Sequence, residues 1–276
     1  MLTRRYPCPI MKSLDMGVKC AVRYLIHLSY DGTRYSGWQR QGNSDKTIAG
    51  KLENILTRLN EGEVTVHGAG RTDAGVHALD QTATFDLAGS VDPADVMAAL
   101  NEYLPEDIAV FSCQKADSRF HARLNAVGKI YRYAVRTAPV RDVFQRRYQW
   151  HLGRPLDLAA MRHAAVMLTG THDFTSFATS VSSKHGAVRT VSRIEILEKD
   201  GTATLEYEGS GFLYNMVRIM TGTLCEIGLG QRNVGEIPGI FSARDRGKAG
   251  MTAPAQGLTL VRVLYPKGPS EEKEKQ

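Results

Sequence analysis

No stretch of this sequence approaches the roughly 18 consecutive apolar residues that a bilayer-spanning helix needs, so a membrane-spanning reading is set aside. Cysteine is scarce. Cys8, Cys20, Cys113 and Cys225 lie far apart and form no CxxC pair, which argues against a zinc knuckle or a disulfide framework and fits reduced thiols in a cytosol. The eight histidines lack ligand spacing, so no metal is expected. A phosphate-binding P-loop is also missing: Gly68, Gly70 and Gly75 have the wrong spacing, and no Lys-Ser/Thr follows them. The first twenty residues are basic but hold no continuous apolar stretch, which excludes a secretory signal. That extension, residues 1–20, and the polar tail, 267–276, are expected to be disordered.

What remains is enough for about two domains or one domain of two lobes. Lysine and arginine exceed aspartate and glutamate by six, a balance that permits a polyanionic partner without proving one. Periodicity places the elements. Val22, Tyr24, Ile26, Leu28 and Tyr30 alternate with Arg23, His27 and Ser29 in the period-two pattern of a half-buried strand. Thr47 is placed to cap a helix whose stripe is Ile48, Leu52, Ile55, Leu56 and Leu59, ending near Gly62. Val64 to Val66 reads as a short strand, Ala83 to Leu87 as another, and Asp92–Pro93 opens a second helix. Ile108–Cys113, Ile130–Arg136 and Tyr148–Leu152 read as strands, and a helix runs from Leu158 toward Gly170. Val188–Leu197 and Ala203–Tyr207 form a hairpin around Asp200–Gly201; a helix then covers Phe212 to Ile227, and Leu258–Leu264 is the last strand. The pattern implies α+β: two lobes, 21–120 and 121–266, each an antiparallel sheet covered by helices, with a cleft where the sheets meet.

The chemistry-bearing candidates are few. Asp73 lies in HGAGRTDAGVHA, residues 67–78. A lone aspartate in such a loop is more often a turn residue bonded to backbone, with Gly70 and Gly75 at positive φ. Arg218 lies in a helix that is apolar almost all round, with Tyr214, Asn215 and Gly222 on its own face. A guanidinium there is either exposed or paired with a carboxylate, and the small Gly222 allows another backbone to approach. Between Lys129 and Arg147, basic residues alternate with Tyr131, Tyr133 and Phe144, and a second basic stretch carries Lys184, His185, Arg189 and Arg193. Cations for phosphates and aromatic faces for unpaired bases suit RNA better than duplex DNA.

In order along the chain, YDGTRYSGWQRQ, GRTDAGVHA, FHAR, KIYRYAV, HDFTSF, FLYNMVR and APAQGLTLVRVLY resemble the tRNA pseudouridine synthase A family, from about Val22 to Pro266. The resemblance implies a cytoplasmic homodimer, two ferredoxin-like lobes per chain around a central RNA-binding cleft, and no cofactor. It implies isomerisation of uridine to pseudouridine at positions 38, 39 and 40 in the anticodon stem-loop of tRNA. It makes Asp73 the catalytic aspartate, Tyr131 the active-site tyrosine and Arg218 the partner of the aspartate. Arg71 would enter the RNA and help to turn out the base. Phe120, His121, Ala122, Arg123 and Leu124 would contact RNA, as would Lys129, Arg141 and, in the loop after Phe177, Ser182, Ser183 and Lys184. Three rivals stand beside it: a synthase acting on other uridines or other RNAs, a non-catalytic RNA-binding protein, and a glycoside-cleaving hydrolase using Asp73 with Asp80.

Overall fold

The structure, a computed structural model, describes residues 20–40, 46–181 and 186–266. The expectations of disorder at the two ends, Cys20 apart, and the RNA contacts of Ser182, Ser183 and Lys184, fall outside those residues. The first half runs β1 (Ala21–Tyr30), α1 (Ile48–Asn60), β2 (His67–Gly68), β3 (His77–Ala88), α2 (Pro93–Tyr103) and β4 (Ile108–Lys115). The second runs β5 (Gly128–Arg136), β6 (Trp150–His151), α3 (Leu158–Leu168), β7 (Gly170–Asp173), β8 (Val188–Lys199), β9 (Thr202–Gly209), α4 (Met216–Gly228), α5 (Ile237–Ala243) and β10 (Leu258–Leu264). All the strands join one sheet in the order β4-β1-β3-β10-β5-β9-β8-β7, with β2 beside β3 and β6 beside β5.

Each half repeats one connection. Strand, helix, two strands, helix, strand gives β4-β1-β3-β2 in the first half and, with β6, β7 and α5 as additions, β10-β5-β9-β8 in the second, the ferredoxin-like arrangement. The sheets do lie edge to edge, and β10 is the joint: it runs parallel to β3 at Thr259 and Leu260 and antiparallel to β5 along its length. Sequence periodicity carries no information on that partner. Register puts Tyr30, Ala78, Leu260, Tyr131 and Tyr207 in one row across five strands, so their side chains share a face. The Tyr207 hydroxyl pairs with Thr221 of α4, which identifies that face as the helix-covered one. The opposite face carries ion pairs, Arg23–Asp86, His27–Asp80 and Arg132–Glu206.

Local chemistry explains most boundaries. Thr47 caps α1 by accepting from Gly50 N, and Asp92 caps α2 by accepting from Ala94 N with Pro93 at its first turn. Asp200 and Gly201 both take positive φ, as a tight hairpin turn requires. Three expectations are corrected. Val64 and Val66 are buried but the segment forms no strand, because Val64 N donates to Thr57 Oγ1 and Val66 N to Glu53 Oε1, so α1 satisfies the backbone that a ladder would have used. Only Trp150–His151 of the segment 148–152 pairs, with β5. The helix expected from Phe212 starts at Met216, because Asn215 at φ 62 interrupts the helical path. Gly222 behaves as its position suggests: a Cβ there would sit 1.9 Å from Met251 O, so α4 packs directly on the backbone that leads into β10.

Candidate active site

Asp73 lies on the loop between β2 and β3, above the β3–β10 joint. The loop is braced from several sides. Trp38 N donates to Thr72 O at 3.0 Å, Gln81 Nε2 donates to Gly70 O at 3.0 Å, and the Tyr30 hydroxyl pairs with Thr72 Oγ1 at 2.8 Å. Val76 N donates to Asp73 O, closing a turn across Ala74 and Gly75. Gly75 has φ 78 as expected, whereas Gly70 is not in the left-handed region; a Cβ on it would meet Lys129 Nζ at 2.6 Å. The segment YDGTRYSGW, unexplained by periodicity, is the cradle. Gly32 lies so close to Val76 that an added Cβ would stand 2.0 Å from its carbonyl oxygen.

Arg218 reaches this loop from α4. Its Nη1 lies 3.7 Å from Asp73 Oδ2, with both side chains about four-fifths buried. The same Nη1 donates to Asn215 Oδ1 at 2.8 Å, and Nε donates to Ala253 O at 2.7 Å. The guanidinium is therefore held by its neighbours and offers the carboxylate one loose contact. Burial pushes the Asp73 carboxyl above its usual range, and Arg218 offsets only part of that rise. Tyr131 stands on the same face, 7% exposed, edge-on to Phe212 at 5.3 Å. Burial pushes its phenol strongly upward, so it stays protonated. Asp73, Tyr131 and Arg218, far apart in sequence, are brought together here.

The remaining candidates divide. Arg71 is exposed two residues from Asp73, and no acceptor among the described residues holds it. Lys129 flanks the loop at Gly70; burial and the neighbouring Arg123 push its ammonium down to about 8. In the segment 120–124, Arg123 and Leu124 face outward, whereas Ala122 is buried and Phe120 packs on Tyr265 at 5.3 Å. His121 lies beside His67, ring centroids 5.3 Å apart. Arg141 is exposed. Arg193, read as part of a free basic stretch, is instead enclosed by Glu195, Glu206 and Glu208 on the far face of the sheet. Tyr133 is core, its hydroxyl donating to Pro254 O. Asp80 pairs with His27 on that far face, which removes the acid–base couple a hydrolase would need. Among the described residues no group of histidine, cysteine, aspartate and glutamate is arranged to hold a metal ion, and no helix is long and apolar enough to cross a membrane. Periodicity gave Tyr30 only as a strand residue and did not find Thr72 and Gln81; the three act through hydrogen bonds between distant segments.

A family model described as tRNA pseudouridine synthase matches residues 26–125 and 164–266. The chain belongs to that family. A protein of Geobacillus sp. (strain WCH70) named tRNA pseudouridine synthase A is 46% identical over 239 residues, covering 86% of this chain and 96% of its own length. One of Bacillus anthracis, named tRNA pseudouridine synthase A 2, is 40% identical over 242 residues, 88% of this chain and 99% of its own. Both matched blocks carry the site: Asp73 and Arg71 fall in the first and Arg218 in the second.

Proposed function

We propose that this enzyme isomerises uridine to pseudouridine at positions 38, 39 and 40 of the tRNA anticodon stem-loop, without a cofactor. The observation that carries the reading is the pairing of Asp73, on a glycine-bent loop, with Arg218 beside Tyr131, the two charged side chains about four-fifths buried. The reaction breaks the bond from C1′ to N1, forms one from C1′ to C5, moves the C5 proton away and leaves a proton on N1. The ionised Asp73 is the nucleophile for this step. Arg218 favours the ionised form, while Tyr131, a neutral phenol on an aromatic ring, presents a surface for a base turned out of its stack. Arg71, exposed at the rim of the loop, enters the space the base leaves.

Lys129, Arg123 and Arg189 influence one another electrostatically near this loop, and no carboxylate among the described residues pairs with any of them, which supports phosphate binding. The division into lobes 21–120 and 121–266 is supported by the repeated connection in each half. The homodimer is supported by Val140, Val143 and Phe144, exposed on one short stretch where a second copy would cover them. A cytoplasmic location belongs to the same reading. The deciding experiment is tritium release from C5-labelled uridine in tRNA transcripts, with mapping of the modified positions. Release with no free uracil at 38, 39 and 40 is expected. Release at other positions would change the substrate, and RNA binding without release would make this an RNA-binding protein.

A further inference from the structure

The αL residue at the start of α4 is spent in an unusual way. An asparagine before a helix ordinarily turns its side chain onto the first free backbone N–H groups, a cap contributing about 1 kcal/mol. Asn215 makes no such bond. Its Oδ1 accepts from Arg218 Nη1 at 2.8 Å and its Nδ2 donates to Thr179 Oγ1 at 2.9 Å. That orientation is fixed by chemistry, since a guanidinium only donates and must therefore face the amide oxygen. Thr179 is itself tied to the turn, donating from its backbone N to Tyr214 O at 3.2 Å. Asparagine is among the few residues that tolerate φ 62 and also carry an acceptor of this reach.

We propose that Asn215 is a positioning residue for the reaction: with Thr179 orienting its amide, it holds Arg218 Nη1 within range of Asp73. The proposal rests on the roles of Asp73 and Arg218 given above. Arg218 has one other tether, Nε on Ala253 O, and a single bond leaves the guanidinium free to swing about Nε. The amide of Asn215 supplies the second point that fixes the plane. Without it the carboxylate keeps its burial and loses its cation. The titratable groups that face Asp73 are Arg218 from α4 and Tyr131 from β5, and Lys129 reaches the same loop at Gly70. Of these only the arginine lowers the carboxyl, so its displacement moves titration in one direction, upward.

Asn215→Gly separates this role from folding, because glycine accepts positive φ and removes only the amide. Two readouts apply. Carboxyl-carbon NMR titration of the free protein, with the Asp73 signal assigned by its loss in Asp73→Asn, reports the pair without any RNA. The single-turnover rate against pH on an anticodon stem-loop RNA reports it in the reaction. Asn215→Gly is expected to melt near the parent temperature and bind RNA as the parent does. Its Asp73 titration and the acid limb of the rate should both move upward, an upward move of about one unit giving about a tenfold loss on the acid side. Thr179→Val should move both the same way by less. An unmoved titration in Asn215→Gly overturns the proposal, as does a rate lowered equally at all pH together with weaker binding. A parent protein that forms no pseudouridine would refute the function while the NMR titration still decides the role of Asn215.

Discussion

Replacing Arg218 by lysine keeps the charge and tests whether geometry is what matters. In the structure the guanidinium satisfies three demands at once: Ala253 O through Nε, and Asn215 Oδ1 and Asp73 through Nη1. A lysine ammonium is one point and cannot occupy both the Nε and the Nη1 positions. At 3.7 Å the attraction between unit charges is about 4.5 kcal/mol for an effective dielectric of ~20. If the ammonium settles on Ala253 O and its charge withdraws to about 6 Å, about 2.8 kcal/mol remains. The difference, about 1.7 kcal/mol, corresponds to slightly more than one pKa unit on Asp73 and a rate loss of at least about tenfold at mildly acidic pH. Lost orientation adds to that, so a fall of about 10–100-fold in single-turnover rate is expected, with a dissociation constant for RNA within about threefold of the parent. The assay is tritium release under single-turnover conditions, with binding measured separately. Near-normal turnover in Arg218→Lys would show that the arginine is a bystander.

Asp73→Asn should abolish product while RNA binding survives or tightens, and a fully active variant would overturn the mechanism. Because the folded carboxyl titrates above its unfolded value, the buried charge disfavours the folded state at neutral pH and ceases to do so once both states are protonated. The same variant should therefore melt at or above the parent temperature at pH 7, with the gain disappearing below the usual carboxylate range; a lower melting temperature at pH 7 would contradict this. Arg71→Ala should lower turnover strongly with a modest loss of affinity, and equal rates on saturating tRNA would refute its part in turning out the base. Gly222→Ala must displace the Met251 backbone, so a loss of about 2–4 kcal/mol in denaturant unfolding is expected, and a neutral result would mean that α4 packs less closely on the segment before β10. Affinity for tRNA should fall steeply between low and moderate salt, and a flat response would remove the phosphate contacts assigned to Arg123, Lys129 and Arg189.

How far the sequence revealed this molecule depended on the range of the interaction involved. Caps and tight turns, Thr47, Asp92–Pro93 and Asp200–Gly201, were legible because donor and acceptor lie within a few residues of one another. Strand β1 was legible because one face is buried along its length. Val64 to Val66 misled because two valines in alternation record burial and say nothing about where the N–H groups go. The start of α4 misled because Asn215 takes φ 62 and gives its side chain to Arg218, three residues on, and to Thr179, in a segment that no local rule relates to it. Asp73 and Arg218 stood out, each as a charge without local justification, and the resemblance paired them. The looseness of their contact, the distribution of the guanidinium's donors, and the burial of Ala122 and packing of Phe120 on Tyr265 within an expected RNA-contacting segment all required three dimensions.

The joint made by β10 bears on synthesis. A ribosome releases the first half, with its β3 edge, long before Leu258–Leu264 leaves the exit tunnel, so nascent chains carry an unsealed strand edge that other chains could pair with. Until that strand inserts, β3 and β5 are not bridged, and the loop bearing Asp73 is not held opposite the helix bearing Arg218. A chain halted before Leu258 would own every residue of the site and still lack the seam that brings them together. Catalytic competence therefore waits on the last strand of the sheet.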